Sequence, residues 1–234
     1  MEIENKAFII STLKLPGDEQ MALDLHLLEK TICEPDISLT LRFYFWEGDW
    51  LSIGYHQKTI PSNWKRLLDN GEIKIIRRPS GGGAVLHLRG ITYALTYKKK
   101  SYKALSYEMV NNWLIKSFSE MGLILKSGHL KKSIIKDNCF ATSYVSDLVD
   151  QQGFKRIGSA QFRKKGAFLQ HGEIQMNPSR DLWFKLFKEE APPEINLNLT
   201  DSEVIRNLKN SFLDGKANIE IKNITFKDKN ILNF

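Results

Sequence analysis

From residue 146 to residue 176 the chain carries three strand-like runs separated by turns of only a few residues. The run 146–149 turns through Gln151-Gln152-Gly153 into 155–161, and Arg163-Lys164-Lys165-Gly166 turns into 167–176. Parallel neighbours need a crossover of a dozen or more residues, so strands this close must pair antiparallel. These turns point to an antiparallel meander, and they favour a mixed or antiparallel sheet over one wound from strand–helix–strand crossovers. Elsewhere strands and helices are interspersed. Leu41-Arg42-Phe43-Tyr44-Phe45-Trp46 and Trp50-Leu51-Ser52-Ile53-Gly54 flank the turn Glu47-Gly48-Asp49, and 72–78 and 91–97 read as further strands. The fold class is α+β, with mixed or antiparallel sheets packed against helices.

Helix signals are local and specific. Asp18 can cap a helix over 18–30, with Glu19 in its first turn and Met21, Leu25 and Leu28 on one face. Residues 62–70 form a short helix closed by Gly71. A longer one over 105–121 stops at Gly122 and would bury Leu105, Met109, Trp113, Leu114, Phe118 and Met121. Ser179 caps a helix running to about 190. Thr200-Asp201-Ser202-Glu203 has the capping-box pattern, opening a helix with Val204, Leu208 and Phe212 inside. Residues 218–221 suit a closing edge strand.

The 234 residues suit one domain over 1–234, and an apolar fraction of 42% supplies its core. Thirty-four basic against 27 acidic residues give a net charge of +7, which favours acidic partners without choosing among them. No apolar run approaches the ~20 residues of a membrane span, and the first residues lack the build of a signal peptide. Cys33 and Cys139 form no paired pattern, which fits a reducing, cytoplasmic home and no membrane.

The sharpest local feature is Arg77-Arg78-Pro79-Ser80-Gly81-Gly82-Gly83-Ala84-Val85-Leu86-His87. Three consecutive glycines let backbone N–H groups approach a ligand, and flanking arginines favour a phosphate or carboxylate. The same residues would equally serve as a plain hairpin tip beside two exposed arginines. No Lys-Ser/Thr follows as a phosphate loop requires, and Leu86 stands where a dinucleotide fingerprint needs its third glycine. Cys139 reads either as a small buried hydrophobe or as a nucleophile, and a cation such as Lys155 or Arg156 would lower its pKa if adjacent. A Cys139–His171–Asp147 triad has no local signature to support it. The five histidines show no metal-ligand spacing, so no metal is assigned. Lys98-Lys99-Lys100, Lys131-Lys132 and Lys164-Lys165 lack interleaved aromatics and read as solvated faces or an acidic-protein surface, not as a nucleic-acid groove.

The glycine stretch, with His87 and Gly90, resembles the signature of the biotin/lipoate protein ligase and octanoyltransferase superfamily, Ser80 standing where Thr is usual. Met21-Ala22-Leu23-Asp24 resembles the family's first-helix pattern, and Leu51-Ser52-Ile53-Gly54-Tyr55-His56-Gln57 its first substrate-pocket strand. Lys155 with Gly158-Ser159-Ala160-Gln161, and His171-Gly172, match its lysine strand and the strand after it. The similarity runs over about 5–190. Residues 194–234 then read as a terminal helix and strand of the same catalytic domain, not as a separate accessory domain. Cys139-Phe140 ahead of the lysine strand is similar to the cysteine-bearing octanoyltransferase branch of Gram-positive type. Two departures stand out: a longer turn at Gln151-Gln152, and no proline in Phe140-Ala141-Thr142-Ser143.

The resemblance implies a biotin/lipoate ligase catalytic-domain fold, akin to class II aminoacyl-tRNA synthetases. It further implies transfer of octanoyl from acyl carrier protein to Cys139 as a thioester, then to a lysine of a lipoyl-domain protein such as glycine cleavage H protein or a dehydrogenase E2 subunit. Lys155 would lower the thiol pKa and face the oxyanion. Arg77, Ser80, Gly81, Gly82, Gly83, Ala84, His87, Gly158, Ser159, Ala160, His171 and Gly172 would hold substrate. No cofactor is implied for the transferase. A lipoate or biotin ligase like lipoate-protein ligase A competes with that reading and would use ATP and Mg. A lipoyl amidotransferase would share the cysteine chemistry and differ in its donor, and a non-enzymatic basic binding module would leave Cys139 dispensable.

Overall fold

The computed structural model describes residues 6–98, 107–128, 147–214 and 220–224. In chain order they form β1 (Lys6–Ile10), β2 (Leu13–Leu15), α1 (Gly17–Cys33), β3 (Ile37–Trp46), β4 (Trp50–Ile53), α2 (Ser62–Asp69), β5 (Lys74–Arg77), β6 (Val85–His87) and β7 (Ile91–Lys98). There follow α3 (Tyr107–Glu120), β8 (Leu125–Ser127), β9 (Leu148–Asp150), β10 (Lys155–Lys164), β11 (Ala167–Ile174), α4 (Arg180–Phe187), α5 (Asp201–Leu213) and β12 (Glu220–Ile224). The order in the large sheet is β12-β1-β3-β7-β11-β10-β9-β8, with β2 beside β3. Every pairing from β3 through β8 is antiparallel, as the short turns require, while β1 is parallel to both β3 and β12. A second sheet, β5-β4-β6, is parallel on one side and antiparallel on the other. This is the mixed α+β architecture that the spacing of strands and helices predicts.

The strand alternation of β3 decides which face carries the core. Leu39, Leu41 and Phe43 join α3 and α5 in one cluster with Val110, Leu114, Phe118, Val204 and Leu208. Trp113 is the hinge pin of that layer: its ring meets Phe43, Tyr93 and Phe212 edge-on, and its indole N–H donates to the Leu208 carbonyl at 3.1 Å. Thr40, Arg42 and Tyr44 point to the other face, where α1 lies.

Several local expectations hold. Thr200 and Glu203 form the full capping box of α5, and the Ser179 side chain caps α4. The β10–β11 hairpin closes through Lys165 (φ 46°) and Gly166 (φ 77°), the left-handed pair a two-residue turn demands. Others need correction. Leu25 is exposed, because the buried arc of α1 runs along Gln20, Asp24 and Thr31 at its centre, with Met21 and Leu28 on one side and Leu23 and Leu27 on the other. Met109 is likewise exposed, and Val110 takes its place inside. Leu105 and Cys139 lie outside the described residues. The strands flanking Gly48 do not pair with each other: β4 leaves for the small sheet, and that departure opens the space in which the site forms.

Candidate functional site

A cavity of about 550 Å³ lies between the small sheet with its glycine loop and the strands β3, β7, β10 and β11. Of the residues that the sequence singles out, Gly81, Gly82, Gly83, His87, Gly158, Ser159, Ala160, His171 and Gly172 line it. Positions as distant in sequence as Gly81 and Gly172 are thus brought to one place from a loop and three strands. Ser80 and Ala84 are buried just behind the wall.

Two chains of hydrogen bonds tie the small sheet to the large one. In the first, the His171 imidazole on β11 contacts Ser80 Oγ through Nε2 at 2.5 Å and Asp24 Oδ2 through Nδ1 at 3.2 Å. An ionised carboxylate only accepts, so Nδ1–H donates to Asp24; in the tautomer this selects, Nε2 is left to accept from the Ser80 hydroxyl. Asp24 is itself held by Arg42 (Nε–Oδ1 2.8 Å) and by the Tyr44 hydroxyl (3.1 Å), while Arg42 also reaches the Gln20 side chain at 2.9 Å. Burial alone would raise the Asp24 pKa, but the Arg42 guanidinium and the His171 contact outweigh it and hold the carboxyl below its ordinary range. The same burial, with Asp24 alongside, pushes the Tyr44 phenol well above its usual value.

In the second chain, the Ser52 hydroxyl on β4 lies 2.8 Å from His87 Nε2, and His87 Nδ1 lies 2.8 Å from Glu173 Oε2. The Thr92 hydroxyl donates to the same oxygen through a short bond, and the Trp46 indole N–H donates to Thr92 Oγ1 at 2.8 Å. Trp46 stacks on the His87 ring, 4.0 Å between centroids. Burial lowers the His87 pKa against the pull of Glu173, so the imidazole is neutral at neutral pH and accepts from Ser52.

The two arginines have separate work. Arg77, expected on the cavity wall, is not among its lining residues; its Nη1 donates to the carbonyls of Gly54, Tyr55 and Gln57 at 2.8, 3.2 and 2.7 Å. Arg78 lines the cavity instead. It is buried, and it donates to the carbonyls of Ser52 (3.1 Å), Gly81 and Gly83 (2.7 Å each), holding the glycine loop in shape. Successive residues at a strand end face opposite ways, and a bare Arg-Arg pair does not say which turns inward.

Lys155 is buried beside the cavity, not on its lining, with Nζ 2.8 Å from Asp147 Oδ2; Asp147 is the partner that lines the wall. Asp147 pairs with Lys155, and both ring nitrogens of His171 are engaged by Asp24 and Ser80; Cys139, the third member of the triad considered, lies outside the described residues. Ser159 Oγ is 2.7 Å from the Tyr93 hydroxyl, which Gln170 supports at 3.0 Å; burial pushes the Tyr93 pKa up to about 12. Among the described residues no three His, Cys, Asp or Glu side chains are grouped to hold a metal, and no helix is long and apolar enough to cross a membrane. Tyr44, Trp46, Thr92, Tyr107 and Glu173 are lining residues that sequence reasoning missed. Arg78 and Ser52 stand inside the glycine and pocket-strand motifs with no role assigned to them, and Asp147 enters the sequence reading only through the triad.

The lipoyl protein ligase A/B catalytic domain family matches residues 16–208. The chain is 31% identical to "Octanoyltransferase LipM" of Oceanobacillus iheyensis, covering 97% of this chain and 90% of that one. It is 32% identical to the protein of the same name from Brevibacillus brevis, covering 79% and 70%. Among solved structures, lipoate-protein ligase A bound with ATP superposes with a TM-score of 0.72 at 21% identity, over 98% of this chain and 92% of that one. A bi-partite lipoate protein ligase of Thermoplasma acidophilum, described together with its E2 lipoyl domain, gives 0.69 at 20% identity, over 98% and 90%. These two likenesses show the fold.

Proposed function

The chain belongs to the lipoyl protein ligase A/B catalytic domain family, and within it we propose an octanoyltransferase that carries octanoyl from acyl carrier protein, through a thioester on Cys139, to a lysine of a lipoyl-domain protein. The observation that carries this reading is the similarity to the LipM octanoyltransferases along nearly the whole chain. We read residues 1–234 as one catalytic domain, to which α5 contributes core side chains and β12 an edge strand.

In the first step the Cys139 thiolate attacks the carbonyl carbon of the donor thioester. The carrier's sulfur leaves as a thiolate and takes up a proton. In the second, the neutral amine of the acceptor lysine attacks the carbonyl carbon of the octanoyl-cysteine, the C–S bond breaks as the amide forms, and the departing cysteine thiolate is balanced by the proton the amine nitrogen gives up. Thioester exchange is nearly isoenergetic and amide formation is downhill, so the transfer consumes no nucleotide. Lys155 is the cation assigned to the thiolate, and its buried pair with Asp147 fixes the ammonium beside the cavity. Gly158 and Ser159 are assigned to the developing oxyanion, and the cavity to the eight-carbon tail. The superposition on an ATP-bound ligase supports a second reading, in which free octanoate or lipoate is activated as an acyl-adenylate.

Mixing the protein with octanoyl-acyl carrier protein and no acceptor should leave a hydroxylamine-labile octanoyl adduct that maps to Cys139. Cys139→Ser should lose nearly all transfer, because a hydroxyl is far less ionised than a thiol at neutral pH. Undiminished transfer by Cys139→Ala from octanoate and ATP, with AMP released, would replace the transferase by the ligase.

A further inference from the structure

The loop between β4 and α2 and the outer side of α2 form a surface that takes no part in the chemical steps above. From Trp50 to Leu68 the chain has no carboxylate side chain, while His56, Lys58, Lys65 and Arg66 are all exposed. Lys58, Lys65 and Arg66 make no ion pair among the described residues, in contrast to Lys185 on α4, which is shared by Glu72 and Asp181. Tyr55 (60% exposed), Ile60 (40%) and Leu68 (39%) lie in the same stretch. They are three of the eight large apolar side chains exposed among the described residues, so apolar and cationic surface are concentrated together.

This surface is pre-shaped. Arg77 clamps the loop through three of its carbonyls, and Gly54 sits directly against the backbone of Gly82. Beneath α2, the Asn63 side chain donates to the carbonyls of Lys185 and Leu186, and the Trp64 indole to that of Leu186. A partner would therefore lose little to ordering the surface it meets. The loop also opens on the cavity, since His56 and Gln57 contribute to its lining.

We propose that this surface docks the acyl donor, and that the donor is an acidic carrier protein presenting its acyl group on a long flexible arm; the proposal rests on the octanoyltransferase reading above. Charge complementarity selects an acidic protein. Reach selects the donor over the acceptor. The surface borders the glycine-loop wall, whereas Gly158 and Asp147, the partner of the buried Lys155, line the opposite side beside the large sheet. An acceptor lysine has only four methylenes and must dock beside the nucleophile. A carrier's arm is several times longer and can cross the cavity from the far rim.

The test is Lys58→Glu/Lys65→Glu/Arg66→Glu, with Tyr55→Ala as a second variant. The readouts are kcat/KM with octanoyl carrier protein, kcat/KM with octanoyl-pantetheine as a protein-free thioester, and KM for the lipoyl domain. All substituted side chains are exposed, and thermal unfolding confirms the fold. The triple variant should lose about tenfold or more with the carrier and show a shallower salt dependence. Its activity with octanoyl-pantetheine and its acceptor KM should not move. Tyr55→Ala should fall with the carrier alone. Wild-type kinetics with the carrier, or a change confined to the acceptor KM, would overturn the donor surface and leave the transferase standing. A wild-type protein that takes octanoyl from neither donor, and forms AMP from ATP and octanoate, would remove the transferase reading and this surface with it.

Discussion

Replacing Gly54 by alanine tests how tightly the β4–α2 loop and the glycine loop interlock. A methyl group built there would lie 1.9 Å from the carbonyl oxygen of Gly82, 2.9 Å from its carbonyl carbon and 3.2 Å from that of Gly81. All three are backbone atoms, so no side chain can swing aside. Reaching even 3.0 Å requires a retreat of about 1.1 Å. That retreat is opposed by Arg78, which holds the carbonyls of Gly81 and Gly83 at 2.7 Å, and by the Ser80–His171 bond. Overpacking of this kind costs about 1–3 kcal/mol, which lowers the melting temperature of a chain this size by roughly 2–12 °C. A misplacement of about 1 Å at a reacting site costs on the order of 10²-fold in rate. Gly54→Ala should therefore stay folded at 25 °C and lose about 100-fold in kcat/KM for octanoyl transfer, followed by mass spectrometry of the lipoyl domain. A methyl on Gly81 meets no atom within 4 Å, so Gly81→Ala should lose far less. Wild-type transfer by Gly54→Ala, or equal losses in the two variants, would refute the interlock.

Asp24→Asn leaves Arg42 buried without its carboxylate, and should cost about 3–5 kcal/mol in urea unfolding. Because the folded pKa of Asp24 lies below the ordinary 3.8, its contribution is present above that pH and is lost as pH falls through the folded value; the acid limb of the stability curve should flatten in the variant. Lys155→Ala should raise the pH at which the cysteine adduct forms, and Lys155→Arg, which keeps the charge but presents a planar fork, should keep part of the activity; identical adduct profiles would release Lys155 from the thiolate. Thr200→Ala removes an N-cap far from the cavity and should cost about 1 kcal/mol in thermal unfolding while transfer continues at the wild-type rate.

The elements that sequence makes legible are those fixed by local chemistry. Short turns announce the β9–β10–β11 meander, and the pattern around Thr200 announces α5 to the residue, because a cap or a two-residue turn is decided within four positions. The face of α1 was not legible for the opposite reason. Its buried centre is Gln20, Asp24 and Thr31, which look like surface until Arg42, Tyr44, His171 and Thr96 arrive from strands distant in sequence. The site divides in the same way. The glycines, His87 and His171 could be named from their motif, but the carboxylates that orient the two imidazoles come from α1 and from the residue after Gly172, and periodicity assigns them no partner. Arg77 and Arg78 are neighbours in a motif, and only the end of β5 decides that the second turns into the cavity while the first fastens the loop outside.

The two serine–histidine–carboxylate chains also govern how the protein moves in time. Both join the small sheet to the large one: Ser80 to His171 and Asp24, and Ser52 to His87 and Glu173. Sliding one sheet past the other would break the two buried bonds that cross between them, Ser80–His171 and His87–Glu173, whereas splaying the 55–60 loop breaks Arg77's bonds to the loop carbonyls and the Tyr55 N–H bond to the Ser80 carbonyl. Amide hydrogens at Ser52, Val85 and Leu86 should then exchange with solvent as slowly as the core strands, and those of the loop many times faster.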